Sequence, residues 1–235
     1  MTVFGAVFAR AGSKGVPGKN LRIVGGVSLL GRALSMGIAL PSIDRMFCST
    51  DSTSIAREAE SYGAEVPFIR PVGLAGDRSP EWDAWKHLAE HLLLAGAVES
   101  DLLVSIPATS PLRLEEDVEK ALELFHLSTF DVVLAVTEST QNPWFNMVTR
   151  EPGGAVSIAM KPQGSPIARR QDAPPMFNIT TVVYVTTVGF VASAEGIFSG
   201  RVGSILVPAE RALDVDTELD LLVADFFLQQ RMGRD

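Results

Sequence analysis

Short unbroken apolar runs and longer amphipathic stretches alternate along this chain. The runs at residues 3–8, 45–49, 102–106 and 131–136 have the length of strands buried on both faces of a sheet. Between them, apolar residues recur at helical spacing over 29–40, 55–62 and 115–127. Polar punctuation agrees with these bounds. Ser49-Thr50-Asp51-Ser52 caps the helix at 55–62, and Gly63 ends it. Ser79-Pro80 opens a further helix, with Ser79 as N-cap and Pro80 at the first helical position. Its core stripe is Trp85, Leu88, Ala89, Leu92 and Gly96. Residues 65–69, 181–186 and 204–208 complete the strands, and Thr217 with Asp220 forms a capping box for a last helix through Gln230. Strands alternating with helices predict βαβ units and a mostly parallel sheet.

Residues 137–172 break this rhythm. Pro143, Pro152, Pro162 and Pro166, with Gly153, Gly154 and Gly164, punctuate a stretch that has few helix signals. It reads as a β-rich excursion with tight turns. Asn142-Pro143-Trp144-Phe145-Asn146-Met147 places large apolar groups on it, which either fold back onto the core or meet another surface. The organisation expected is one domain over 1–235 with an inserted arm at 137–175.

Composition narrows the class. With 235 residues, 46% hydrophobic and 20% charged, the chain can bury one large core as an ordinary soluble protein. A net charge of −8, with no basic stripe outside the N-terminal region, argues against nucleic acid as a partner. The first apolar run is too short for a signal peptide or a membrane span. The single cysteine, Cys48, sits in an apolar run and can form no internal disulfide, so a reducing cytoplasm is the expected compartment.

The candidate chemistry gathers between the first strand and the first helix, in Ala9-Arg10-Ala11-Gly12-Ser13-Lys14-Gly15-Val16-Pro17-Gly18-Lys19-Asn20. Residues 1–43 hold five basic side chains (Arg10, Lys14, Lys19, Arg22, Arg32) and no acidic one, a focused cationic field on an acidic chain. Strand, glycine-rich loop, helix is the layout in which backbone N–H groups converge on phosphate oxygens. It is not a Walker A loop: five residues, not four, separate Gly12 from Gly18-Lys19, and Asn20 replaces the Ser/Thr. Nor is Gly12, Gly15, Gly18 the dinucleotide spacing.

The loop resembles the signature of the cytidylyltransferases that activate sialic acids and related nine-carbon keto acids, roughly Arg-x-Gly-Ser-Lys-Gly-x-Pro-x-Lys-Asn. The resemblance continues in order through Arg70-Pro71 with Leu74-Ala75-Gly76-Asp77, Thr109-Ser110-Pro111-Leu112-Arg113, Arg169-Arg170-Gln171-Asp172 and Asp214-Val215-Asp216. It implies a Rossmann-like, three-layer α/β nucleotidyltransferase fold with a mostly parallel mixed sheet. The activity implied is transfer of CMP from CTP to the anomeric hydroxyl of a nonulosonic acid, with release of pyrophosphate. By resemblance, Arg10, Gly12, Ser13, Lys14, Gly15, Lys19, Asn20 and Arg70 bind the nucleotide. Thr109, Ser110, Arg113, Arg169 and Arg170 bind substrate, and the arm forms a homodimer. The arm sequences and the Arg169–Asp172 run look closer to the legionaminate-type bacterial branch.

Chemistry refines these roles. Arg10 can grip two phosphate oxygens, and Lys19 acts as a point charge. Asp214 and Asp216, on one side of a strand end by alternation, suit Mg²⁺ or Mn²⁺ together with phosphate oxygens; otherwise Asp216 merely caps the last helix. One departure stands out. Pro107-Ala108 replaces the Gln-Pro common in the family, so a glutamine able to hydrogen-bond the substrates is missing. Rival readings are the same fold acting on a shorter keto-sugar acid or a phosphosugar, and a non-catalytic nucleotide-binding regulator. A third is a zinc peptidase built on His87-Leu88-Ala89-Glu90-His91, which lies on the solvent face of its helix and lacks further ligands.

Overall fold

The first apolar run forms strand β1 (Val3–Phe8) in the computed structural model, which describes residues 1–76, 79–161, 167 and 169–232. Asp77 of the Leu74–Asp77 motif, and Pro162, Gly164 and Pro166 of the arm, lie outside the described residues. After the cationic loop comes a small hairpin, β2 (Ile23–Val24) and β3 (Val27–Ser28). Its turn is Gly25-Gly26 with φ of 55° and 77°, the positive values that a two-residue hairpin turn demands. The Ser28 hydroxyl accepts from Gly31 N–H at 2.8 Å and so caps α1 (Leu29–Ala39).

Next come β4 (Arg45–Ser49), α2 (Thr53–Ser61), α3 (Glu81–Leu94), β5 (Leu102–Ser105), α4 (Glu115–Leu127) and β6 (Val132–Glu138). The arm contributes an antiparallel hairpin of its own, β7 (Val148–Arg150) and β8 (Val156–Ile158). The chain closes with β9 (Phe177–Thr187), α5 (Val188–Ser193), β10 (Val202–Leu206) and α6 (Glu218–Met232).

Six strands form one sheet in the order β10-β6-β9-β5-β1-β4. Every pairing is parallel except those of β9, which runs antiparallel to both β5 and β6. Alternation along β1 separates two cores. Val3 and Val7 pack with residues of α1, α2, α4 and α6, whereas Phe4 and Ala6 pack with Trp82, Trp85 and Leu88 of α3 and with α5. Helix, sheet, helix is thus the three-layer α/β arrangement expected. Cys48 is wholly buried, and burial pushes its thiol up to about 12, so it is an inert core group.

Four expectations need correction. Residues 65–69 make only two isolated bridges, Phe47 to Glu65 and Thr50 to Ile69, because Pro67 has no N–H to continue a ladder. Pro80 is extended and occupies the cap position, so α3 starts at Glu81, while the Ser79 hydroxyl donates to the Gly73 carbonyl at 2.8 Å. β9 is longer than 181–186 and is held through an irregularity opposite Leu134/Ala135, which interrupts the alternation. The strand placed at 204–208 forms two residues earlier, at β10. The short α5 carries too few residues to show a period.

Candidate active site

The loop after β1 is pinned from below and open above. Val16 is fully buried, Asn20 nearly so, and Gly12, Lys14, Gly15 and Gly18 are exposed. Asn20 Nδ2 donates to the Arg10 carbonyl at 3.0 Å, tying the two ends of the loop together. Ala11 N–H donates to Asp51 Oδ1 at 2.8 Å, and Gly18, at φ 63°, starts the short turn that carries Lys19. The loop therefore presents backbone and cations on a fixed frame.

Lys19 reaches the other end of the chain. Its Nζ donates to the Val215 carbonyl at 2.7 Å and to Asp216 Oδ1 at 2.9 Å. Residues 212–216 belong to no strand, which corrects the strand-end expectation. Val215 is buried and its N–H donates to the Thr109 carbonyl at 2.8 Å. Asp216 is exposed, whereas Asp214 is partly buried with Oδ1 enclosed and without a hydrogen-bond partner. The helix cap is filled by other groups. Asp220 Oδ2 accepts from Thr217 N–H at 2.7 Å, and Thr217 Oγ1 accepts from Asp220 N–H at 3.3 Å, a reciprocal capping box.

Gly15 sits hard against this segment: a Cβ there would lie 2.0 Å from the Asp216 carbonyl oxygen. Gly15→Ala must displace backbone, and overpacking of this kind costs about 1–3 kcal/mol. A Cβ at Gly12 would meet nothing within 4 Å. We expect thermal melting to show a clear loss for Gly15→Ala and none for Gly12→Ala. Equal melting temperatures would show that the loop does not rest on the 214–216 segment.

Beside the loop, Arg10 and Arg70 line one cleft of about 200 Å³ with Gly76 and Glu81. Arg10 Nη1 donates to the Gly76 carbonyl at 3.2 Å. Arg70 is 4% exposed; burial lowers its pKa, and Asp51 and Glu81 oppose that shift. Glu81 is open to the cleft yet ringed by protein, and this desolvation raises its carboxyl above the ordinary range although Trp85 Nε1 donates to it at 3.1 Å. Pro80 and Glu81 are shared with an adjoining cavity of about 360 Å³ walled by Trp82, Trp85, Tyr184 and Phe198. Pro107, at the position of the missing glutamine, lines it too.

The structure thus brings together Arg10, Arg70, Lys19, Asp214 and Asp216 around the glycine loop, at the carboxyl ends of β1 and β4. It does not bring Ser110 and Arg113 to that cleft. Thr109 and Ser110 bond through their hydroxyls to Thr181 Oγ1 at 3.3 and 2.7 Å, and Arg113 donates to the carbonyls of Pro107 and Thr181. Ser110 and Arg113 line a separate cavity between α1 and α6. Arg169 and Arg170 are exposed on the arm, Arg169 in a bidentate pair with Asp172 at 2.9 and 3.0 Å and Arg170 donating to the Ser139 carbonyl at 3.3 Å. His87 and His91 pack edge-on against Phe68, a structural use for that helix face. Glu81 and the aromatic cavity were not singled out from the sequence as site elements, and Asp51 was placed there only as part of the loop at 49–51 past a strand end. Asp51 stands two residues beyond the end of β4, at the edge where strand-end loops converge.

A mostly parallel sheet whose strand ends carry a cationic glycine loop, fastened through Lys19 to Val215 and Asp216, fits an α/β nucleotidyltransferase. The family model for cytidylyltransferases matches residues 5–150, and the chain belongs to that family. It is accordingly a CTP-dependent nucleotidyltransferase. Similar proteins include post-translational flagellin modification protein B of Campylobacter coli, 27% identical over 225 residues, with 96% of this chain and 94% of that one covered. CMP-N,N'-diacetyllegionaminic acid synthase of Campylobacter jejuni is 28% identical over 226 residues, covering 94% and 93%. Among solved structures, CMP:2-keto-3-deoxy-manno-octonic acid synthetase complexed with CTP superposes with a TM-score of 0.72 at 15% identity, over 98% of this chain and 100% of that one, a likeness of fold. Among the described residues, no helix is long and apolar enough to cross a membrane.

Proposed function

We propose that this chain transfers CMP from CTP to the anomeric hydroxyl of a nonulosonic acid, of the legionaminic or sialic type. The acceptor oxygen attacks the α-phosphorus, the new P–O bond forms as the bond to pyrophosphate breaks, and the hydroxyl proton is released. The observation that carries the reading is the Lys19 contact with Val215 and Asp216, which fastens the phosphate loop to the acidic segment. Arg10 and Lys19 neutralise the triphosphate, the 12–15 backbone supplies N–H donors, and Asn20 positions Arg10 through its carbonyl. The aromatic cavity beside Glu81 is large enough to seat the acceptor, with Arg169 and Arg170 on the arm as candidates for its carboxylate.

Among the described residues no group of three or more His, Cys, Asp and Glu is placed to hold a metal. Asp214 and Asp216 nevertheless fit Mg²⁺ or Mn²⁺. Hard cations of this kind take one or two carboxylates plus phosphate oxygens, and Asp214 Oδ1 is an enclosed acceptor without a donor. Such a cation, when bound, polarises the phosphate and lowers the pKa of the acceptor hydroxyl.

Pyrophosphate release from CTP, measured with a panel of nonulosonic acids, an eight-carbon keto-sugar acid and a sugar phosphate, and repeated with ATP, GTP and UTP, tests the reading. The expected result is release with CTP and a nonulosonic acid. Turnover only with the shorter acceptors would redirect it, and none with any acceptor would leave a nucleotide-binding regulator.

The arm is assigned to contact with a second copy of the chain. Val148, Val156, Ile158 and Arg150 share one face of the β7–β8 hairpin by register, and Val148 and Val156 are exposed. A lone two-stranded hairpin is marginal in water, so an apolar face on it favours a cover. Trp144 and Phe145, half-buried beside it, join neither core cluster. Paired Val148→Asp and Val156→Asp substitutions are expected to release monomers in light scattering, and so is replacement of Trp144 and Phe145 by polar residues. A monomeric wild type would remove the assignment.

A further inference from the structure

We propose that the cavity between α1 and the C-terminal end of α6 is a second binding site, for a small organic oxyanion carried on an apolar body. The cavity measures about 480 Å³ and shares no lining residue with the Arg10–Arg70 cleft. Arg32, Arg113 and Arg231 line it, with Met36 and Leu228 among the apolar walls and Glu115 as its only carboxylate. Three cations against one lining carboxylate leave the wall of the cavity with a surplus of positive charge that favours an anion.

The guanidiniums are anchored by hydrogen bonds to carbonyls, and the charge of Arg113 is further offset by the nearby carboxylates of Asp117 and Asp214. Arg32 Nη2 donates to the carbonyls of Val24 at 2.8 Å and Gly25 at 3.2 Å, and Arg231 Nη1 donates to the Leu112 carbonyl at 3.0 Å. Arg113 is held by the carbonyls of Pro107 and Thr181. These partners are neutral. No ion pair joins any of the three to a carboxylate among the described residues. Arg211, half-buried, shows the ordinary solution, for it pairs with Glu116 and with Asp117. Burial lowers the pKa of Arg32 first, and repulsion from Arg231 lowers it further; burial lowers that of Arg113 too, and the charges of Asp117 and Asp214 oppose that shift.

A bound oxyanion answers this imbalance. Its oxygens accept the guanidinium protons left over from the carbonyls, while its apolar part covers Met36 and Leu228. Phosphate and carboxylate share that chemistry. The site also touches the active centre through the chain itself: Ser110 and Arg113 flank the loop in which the Thr109 carbonyl holds Val215, between Asp214 and Asp216.

Phenyl phosphate and benzoate, added at millimolar concentration to the full chain at constant ionic strength, are the probes, and melting temperature is the readout. At least one probe is expected to raise the melting temperature of the wild type and of Lys19→Ala alike, and to leave Arg231→Gln and Arg32→Gln unchanged. Which probe acts tells phosphate from carboxylate. A rise lost in Lys19→Ala but kept in Arg231→Gln would place the anion in the nucleotide cleft and overturn the proposal, as would no rise with either probe. Hydrogen exchange on the wild type reads the site without any variant: slowing at 32–36 and 110–113 is expected, and slowing confined to 10–20 refutes it.

Discussion

Lys19→Ala and Arg10→Ala are each expected to lose at least about tenfold in kcat/KM while the fold survives. A charge-assisted hydrogen bond to phosphate is worth about 1.5–3 kcal/mol, and about 1.4 kcal/mol is one order of magnitude in rate. Lys19 has a second duty, because it also holds Val215 and Asp216. Its loss should therefore reach kcat as well as KM, whereas loss of Arg10, which leans on the Gly76 carbonyl, should fall mainly on CTP affinity. Lys19→Met retains most of the packed stem, which leaves only 14% of the side chain exposed, and removes the charge alone. Steady-state kinetics beside thermal melts decide the matter. Near-normal turnover in both alanine variants would reject the phosphate assignment.

The same loop shows why this fold was legible and where reading stopped. The parallel strands are unbroken apolar runs, so β1 and β4 fall at the expected residues, as does α4 with its regular period. β9 hides its first residues in an alternating, half-exposed stretch and runs against its neighbours, a choice of direction set by the connection through the arm and not by local pattern. Pro67 could have been read as a ladder breaker, since that signal is present in the residues themselves.

The site divides in the same way. Backbone-driven features were visible: glycines, the loop cations, and the capping box that frees Asp216 from helix duty. Features made by tertiary approach were not. Nothing local distinguishes Arg70, beside the loop, from Arg113, enclosed among carbonyls on another cavity. Glu81 reads as an ordinary first-turn acid of α3, and only the walls contributed by β9 and residues 197–198 make its surroundings unusual.

Asp214→Asn and Asp216→Asn are expected to lose turnover by at least about a hundredfold, equivalent to about 2.7 kcal/mol of transition-state stabilisation. Asparagine keeps the shape of each side chain and removes its charge, so a hard divalent cation shared with the substrate phosphates should be held poorly. The two positions fail differently. At Asp216 the substitution also weakens the ion pair with Lys19, now a bond to a neutral amide oxygen, so the loop loses part of its tether. At Asp214 the enclosed Oδ1 has no donor to lose, but its charge faces the buried Arg113, so a thermal melt beside the kinetics separates any stability cost from the catalytic loss. Helix capping does not confuse the result, because Thr217 and Asp220 supply the cap and Asn would in any case cap about as well as Asp. CTP affinity, set mainly by the loop, should persist in Asp214→Asn when binding is measured directly. Rates followed across a Mg²⁺ titration should rise in both variants only at concentrations well above those that saturate the wild type. Wild-type rates for both at limiting Mg²⁺ would remove the two carboxylates from the metal site and leave Lys19 and Arg10 to carry the chemistry.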